Sequence, residues 1–450
     1  MSKLKSSIMT SKFIYYLESN DEHFILHTLN WKIYRLSKNL FISLKNKDFN
    51  LIPESIMQKL LQEQIICDAS INENAYMLHH LAEARYDNVL RITIIPTESC
   101  NFKCVYCYQS HNDNHMSESV ESSVVNFFKR YTKSCSAINI EWFGGEPLLR
   151  AETVINISRK IKEFAREYGK PVIASMTTNG YLLDLDTFDC LVSNNVLYYQ
   201  ITLDGFASEH DKNRPLASGE GSYEKIISNL LRIRDHSTRK YFVIAIRINI
   251  SKDNLSTIDS FLAYLSENFG NDKRFSIIID TIKDWGGESV KQITDSLLPN
   301  HQHLGSIIPN NPSGVNYFSD FFESTANRIC HASKRDGYVI NYNGEILKCA
   351  KAALEGEATR KMNYIGILSE SGGVVLDKLK ISQWLCFPKP YPKCDDCLWL
   401  PACISMHCPL RDIINLPARC LLNDLSKGSI DLSILEAAKK NKVIRIGEGV

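Results

Sequence analysis

The sequence predicts an α/β protein built on a partial (β/α)6 barrel, with a small α+β module before it and a cysteine-rich region after it. Three observations carry this prediction. Between Arg91 and Ile282 short β-rich runs alternate with helical periodicity, the pattern of strand-helix units around a parallel sheet. The first 88 residues instead place β-rich runs in succession. Eight of the 14 cysteines fall between Cys330 and Cys420.

The barrel strands are RITIIPT (91–97), AINIEWF (137–143), PVIASMTT (171–178), LYYQITL (197–203), YFVIAIRINI (241–250) and RFSIIID (274–280). Between them, Val154, Ile157, Ile161, Phe164 and Tyr168 recur at helical spacing and mark one buried face, which Gly169 and Pro171 terminate. Leu255, Ile258, Leu262, Leu265 and Phe269 mark a second helix before Gly270, and Ile226, Leu230 and Ile233 a third. In the N-terminal module FIYYLES, HFILHT and WKIYRLS read as strands, PESIMQKLLQEQ as a helix and IICD as a closing strand, a winged-helix-like order. The expected organisation is 1–88 for this module, 89–282 for the barrel, 283–329 for a connector, 330–425 for the cysteine-rich domain and 426–450 for a C-terminal tail.

Composition narrows the function. With 450 residues, 44% hydrophobic and 23% charged, the chain is an ordinary globular protein of about three units. Its 52 basic residues balance 51 acidic ones, so no bulk charge draws it to nucleic acid or an anionic membrane. No apolar run approaches the length of a membrane span. The N-terminus lacks a signal-peptide pattern, so a cytoplasmic location is expected. In a reducing compartment clustered cysteines point to metal rather than to disulfides. Cys67, Cys135 and Cys190 stand apart and read as packing residues.

In parallel sheets ligands gather at the C-terminal strand ends. Four turns qualify: the loop with Cys100, Cys104 and Cys107, then Gly144-Gly145-Glu146-Pro147, then Thr178-Asn179-Gly180, then Asp204-Gly205. The C-x3-C-x2-C spacing supplies three thiolates. On a four-iron cluster that leaves one iron open to a substrate or cofactor. Zinc is the alternative, completed by His111 or His115.

These motifs, in this order, resemble those of the radical S-adenosylmethionine (SAM) enzymes, with Tyr106 at the aromatic position of the cysteine motif. The resemblance covers residues 91 to about 282. It implies that Cys100, Cys104 and Cys107 hold the catalytic 4Fe-4S cluster and that Gly144, Gly145, Glu146 and Pro147 receive the SAM amino group, with Glu146 as acceptor. It also implies that Asn179 and Asp204 lie near the ribose and Arg214 near the methionyl carboxylate. The run ITLDGFASEHDKNR (201–214) carries the last two.

The later cysteines resemble the SPASM domain, which carries two auxiliary 4Fe-4S clusters. By that resemblance Cys394, Cys397, Cys403 and Cys420 hold the distal cluster, and Cys330, Cys349 and Cys408 the proximal one, with Cys386 the candidate fourth ligand. The chain has four residues between Cys403 and Cys408 where the family has three. A zinc ribbon is the alternative that the C-x2-C element allows. Asn343-Gly344 reads as a hairpin turn presenting Cys349.

Relatives of this type act mostly on peptides and proteins, so the resemblance implies a ribosomally made precursor peptide as substrate, with its leader bound by the N-terminal module. An external one-electron donor such as flavodoxin or ferredoxin is implied as well. Ala350 stands where sulfatase-maturing relatives carry an aspartate base, which favours installing an intramolecular cross-link over sulfatase maturation. Asp280, Asp284 and Asp336 are candidate local bases. A non-catalytic iron-sulfur or zinc-binding protein is the reading from another class.

Overall fold

The computed structural model describes residues 7–298, 315–317, 329–386, 394–405, 407–416, 420, 427–439 and 442–447. Contacts divide the chain into two compact units: Asn88–Ser319 with His331–Cys386, and Met1–Asp87 with Asp320–Cys330 and Phe387–Val450.

In the larger unit the expected runs form β1 (Val89–Ile94), β2 (Ala137–Trp142), β3 (Val172–Thr178), β4 (Val196–Thr202), β5 (Val243–Ile250) and β6 (Phe275–Thr281). Neighbours pair in parallel throughout. Because Ile94 lies opposite Trp142, and Trp142 opposite Met176, the loops leaving these strands emerge at one end. The intervening helices bury the predicted faces. In Ala151–Glu167 the inward residues are Val154, Ile157, Ile161 and Ala165. Phe164 and Tyr168 are only partly covered, since a 3.6-residue period brings Ala165 under the sheet instead. In Ile258–Phe269 the buried residues are Ile258, Phe261, Leu262, Leu265 and Phe269.

Among the described residues the sheet has 11 strands, because β7 (Val315–Tyr317), β8 (Gly337–Ile340), β9 (Glu345–Leu347), β10 (Tyr364–Leu368) and β11 (Val374–Leu376) extend it. β7 pairs with β6 within the expected connector. β8 runs parallel to β1, with Gly337 opposite Arg91, and β9 to β11 follow as antiparallel neighbours. The β8–β9 turn holds Gly344 at φ +82°, a conformation that glycine adopts without strain.

The expected cysteine-rich domain contributes residues to both units. Residues 331–386 belong with the barrel because Val339 and Leu347 pack on Ile95, Ala353 and Leu354. Residues from 387 onward belong with the N-terminal module.

That smaller unit centres on a sheet of Ile14–Ser19, Glu22–His27, Lys32–Leu36 and Ile444–Ile446. Period-2 alternation gives it two apolar faces. Ile14, Ile25, Tyr34 and Leu36 pack on Leu40, Phe41 and Leu44 of helix Lys38–Asn46 and on Met57 and Leu60 of helix Glu54–Gln62. Leu17, Phe24, Leu26 and Ile33 face Trp399, Ala402, Ile430 and Ile434. The expected tail thus contributes Ile430, Ile434 and a strand to this core. Sequence reading misses helix Lys38–Asn46, helix Glu73–Arg85 and the short strand Ile8–Thr10 that pairs with Ile66–Asp68.

Candidate active site

β1 leads through Pro96 into the three-cysteine loop. Phe102 anchors the loop, being 1% exposed and edge-on to Tyr181. Lys103 N donates to Pro215 O at 2.9 Å and Val105 N to Asn213 O at 2.9 Å, which ties the loop to the segment after β4. Behind it, Glu98 accepts from Asn112 and Asn114 at 3.1 and 2.8 Å.

The loop after β2 abuts this segment backbone to backbone. Gly145 N donates to Thr97 O at 3.1 Å and Glu146 N to Ser99 O at 2.9 Å. A Cβ on Gly145 would stand 2.1 Å from Ser99 O, and one on Gly144, at φ +135°, would stand 2.5 Å from Thr97 O. Only glycine permits that approach.

Cys100, Cys104 and Cys107 line a cavity of about 470 Å³ together with Tyr106, Gly144, Gly145, Asn179 and Arg214. Gln200, Thr202, Arg247, Asn249, Asp280 and Lys283 form another part of its wall. Burial pushes the Cys100 thiol up to about 12, reinforced by Glu146, and the Cys104 thiol up to about 11, partly offset by Arg214. At Cys107 burial is outweighed by His111, whose Nε2 lies 3.4 Å from the sulfur, together with the Gln109 backbone and Arg214, so this thiol is lowered.

Tyr106 is the hub of the buried polar network. Its hydroxyl donates to Asp204 Oδ2 and accepts from Arg214 Nη1 at 2.8 Å and Asn249 Nδ2 at 3.2 Å. Desolvation holds its pKa well above the ordinary tyrosine value, so the hydroxyl keeps its proton. Asp204, fully buried, also accepts from Asn249 N at 3.1 Å, and burial raises its carboxyl against the pull of Arg214.

The expected residues therefore separate by position. Asn179 and Arg214 line the cavity. Asn179 Nδ2 donates to Asn101 Oδ1 at 2.8 Å, and the buried Nε of Arg214 has no hydrogen-bond partner. Glu146 and Asp204 are not among the lining residues. Glu146 caps the Pro147–Arg150 turn through Leu148 N at 2.9 Å and holds the β3 loop through Thr178 Oγ1 and Asn179 N, each at 2.7 Å. Burial raises its carboxyl in spite of these donors. Both carboxylates brace the loops, so the acceptor role expected of Glu146 meets a side chain already engaged. Pro147, buried, opens that turn.

Of the candidate bases, Asp280 lines the cavity, with Arg247 and Lys283 each 2.9 Å from its carboxylate. Asp284 accepts from Gly286 N and Asp336 pairs with Arg335, and neither lines the cavity. Ala350 packs into the β8–β9 core while Lys351 lines the cavity. Sequence reading misses Arg247 and Asn249. The available signal was the pair of polar residues two positions apart in the otherwise apolar strand β5.

In the same unit, Asn363 Oδ1 receives Lys348 N and Cys349 N at 3.0 and 2.8 Å and so fixes the backbone of Cys349. Cys386 is exposed, just after helix Lys378–Leu385. In the smaller unit Cys397 N donates to Cys394 O at 3.0 Å, Cys403 lies on helix Leu400–Ser405, and Cys408 starts helix Pro409–Ile413. Cys330 and Cys420 are half-buried there. Cys135 is buried, and Cys67 and Cys190 half-buried, in keeping with packing roles. Among the described residues no three His, Cys, Asp or Glu side chains are gathered closely enough to hold a single metal ion, whereas the thiol ligands of a cuboidal cluster stand wider apart. No described helix is long and apolar enough to cross a membrane.

Residues 94–265 match the radical SAM superfamily model. The chain is 27% identical over 208 residues to the cysteine-type anaerobic sulfatase-maturating enzyme of Clostridium novyi, covering 43% of this chain and 53% of that one. It is 24% identical over 188 residues to the Fe-coproporphyrin III synthase of Methanosarcina barkeri, covering 42% and 44%. The chain thus spans about half the length of these curated relatives. The solved structure of native anSMEcpe with bound AdoMet and Cp18Cys peptide is similar in fold, with a TM-score of 0.52 and 19% identity over 79% of this chain and 98% of that one.

Proposed function

We propose that this chain, a radical SAM superfamily member by its residues 94–265, is a peptide maturase that removes hydrogen from a ribosomally made precursor peptide and closes an intramolecular carbon-carbon, ether or thioether link. The observation that carries the reading is the single cavity lined by Cys100, Cys104 and Cys107, the Gly144-Gly145 turn, Asn179 and Arg214.

The residues fit a cluster with SAM on it. Three thiols, a glycine turn packed backbone to backbone against their loop and a buried guanidinium nitrogen without a partner suit a metal-sulfur group bearing an amino acid. Bound there, a 4Fe-4S cluster and SAM supply the 5′-deoxyadenosyl radical that can attack an unactivated C–H bond. Arg214 would take the methionyl carboxylate, since a guanidinium matches a carboxylate through paired donors. Asn179 offers an amide to the ribose. Tyr106, Asp204 and Asn249 hold Arg214 in place. We assign the auxiliary cluster ligands as the sequence pattern has them, with Cys330, Cys349 and Cys408 proximal, Cys386 as candidate fourth, and Cys394, Cys397, Cys403 and Cys420 distal. A one-electron donor such as flavodoxin or ferredoxin completes the cycle, and the leader adds as a strand to the N-terminal module.

Sulfatase maturation is the second reading, favoured by the likeness to the Clostridium novyi enzyme. Ala350 counts against it, because the position supplies no base. The test is anaerobic reconstitution with SAM and reductant, followed by co-expression with whichever short peptide or sulfatase the neighbouring reading frame encodes. Formation of 5′-deoxyadenosine and loss of a hydrogen pair per link support the reading. Metal binding without 5′-deoxyadenosine refutes it, and formylglycine in a neighbouring sulfatase transfers it to the second reading.

A further inference from the structure

The smaller unit shows what its sheet edge accepts, because a segment of the chain is already seated on it. Strand Ile444–Ile446 pairs in parallel with Lys32–Leu36, Ile444 opposite Tyr34 and Ile446 opposite Leu36. Ile446 is 2% exposed and joins the core of Tyr34, Leu36, Leu40 and Leu60, with Ile444 packed at its margin and Arg445 turned outward. Lys59 Nζ, from helix Glu54–Gln62, donates to Arg445 O at 3.2 Å. Gly447 follows at φ +79°, where an added Cβ would stand 3.1 Å from Ser37 Oγ and 3.2 Å from Leu40 Cδ2. The slot between Lys32–Leu36 and the two helices thus reads apolar, any residue, apolar, glycine.

Resting on the reading of the N-terminal module as the precursor's docking element, we propose that this slot is where the substrate peptide binds and that Ile444–Gly447 is a displaceable occupant holding its place. The incoming segment is an extended stretch of the apolar-x-apolar-glycine pattern. Two features make the occupant exchangeable. It has three strand residues, and it is held by a parallel ladder to one neighbour, a weaker pairing than an antiparallel one. The other buried members of that core all come from Ile14 to Ile66, so Ile446 is its one residue from the C-terminal strand. The competing account is that the strand permanently shields an edge.

The test uses the reconstituted full chain and a fluorescein-labelled hexapeptide with the sequence of Lys442–Gly447, read by anisotropy. In an Ile444→Asp, Ile446→Asp variant the slot is vacated, and the hexapeptide is expected to bind at least about tenfold more tightly than to the unaltered chain. Hexapeptides carrying aspartate for the two isoleucines, or alanine for the glycine, are expected to bind more weakly than the parent. In the unaltered chain excess hexapeptide is expected to speed hydrogen exchange of residues 443–447. Equal binding to both chains, no exchange response, loss of cooperative melting in the variant together with no exchange response, or a strand-exchanged dimer by light scattering would each overturn the proposal. Formation of 5′-deoxyadenosine is measured separately: if it persists while the hexapeptide fails to bind, the docking slot is wrong and the radical reading stands.

Discussion

Replacing Tyr106 by phenylalanine tests the network that holds the cavity wall. The ring stays and one oxygen goes, so packing changes little. Three partners lose their hydrogen bond: Asp204 Oδ2, Arg214 Nη1 and Asn249 Nδ2. Each typical bond contributes about 1 kcal/mol net, and a buried group left unpaired costs about 1–3 kcal/mol. Arg214 and Asn249 line the cavity and can recover water there, whereas Asp204 is fully buried and outside the lining. The expected loss is therefore about 2–4 kcal/mol in urea unfolding, dominated by Asp204. SAM affinity falls in the same variant, since Arg214 is no longer oriented. Tyr241→Phe serves as control, because Tyr241 is 85% exposed and should shift stability by less than about 0.5 kcal/mol. A Tyr106→Phe loss no larger than that of the control would refute the view that this hydroxyl organises the site.

Three further outcomes are expected. Gly145→Ala drives a methyl into Ser99 O and Glu98 O, so a loss of about 1–3 kcal/mol and a marked fall in 5′-deoxyadenosine are expected, checked by thermal melting and chromatography. Cys100→Ala, Cys104→Ala or Cys107→Ala should each abolish 5′-deoxyadenosine and lower the bound iron, which chromatography and metal analysis read. Burial lowers His27 to about 4, with its Nε2 3.0 Å from Gln64 O and Leu29 N donating to Nδ1 at 3.3 Å. The unfolded chain then takes up a proton that the folded one refuses. Stability from this group is present above about 6.5 and declines as pH falls toward 4, by up to about 1.4 kcal/mol per pH unit. His27→Gln should flatten the urea midpoint against pH over that window, and an unchanged slope would refute the assignment.

Local periodicity alone determined the six barrel strands, because each is an unbroken β-rich run bounded by turn residues and each helix shows one apolar face. Spacing alone likewise singled out Cys100, Cys104, Cys107 and the Gly144-Gly145 turn, since thiol clusters and paired glycines are rare without a reason. What the chain order could not carry is which of the marked residues reaches the cavity. Glu146 and Asp204 occupy motif positions yet turn into the protein, while Arg247, Asn249 and Lys351, unmarked by any motif, turn toward the cavity. That choice is made by strand register and by competition among buried donors and acceptors, which only the folded sheet brings within reach. The division of the cysteine-rich region follows the same rule. Gly337–Ile340 pairs with Val89–Ile94, and Ile444–Ile446 with Lys32–Leu36, across separations of hundreds of residues that no local pattern encodes.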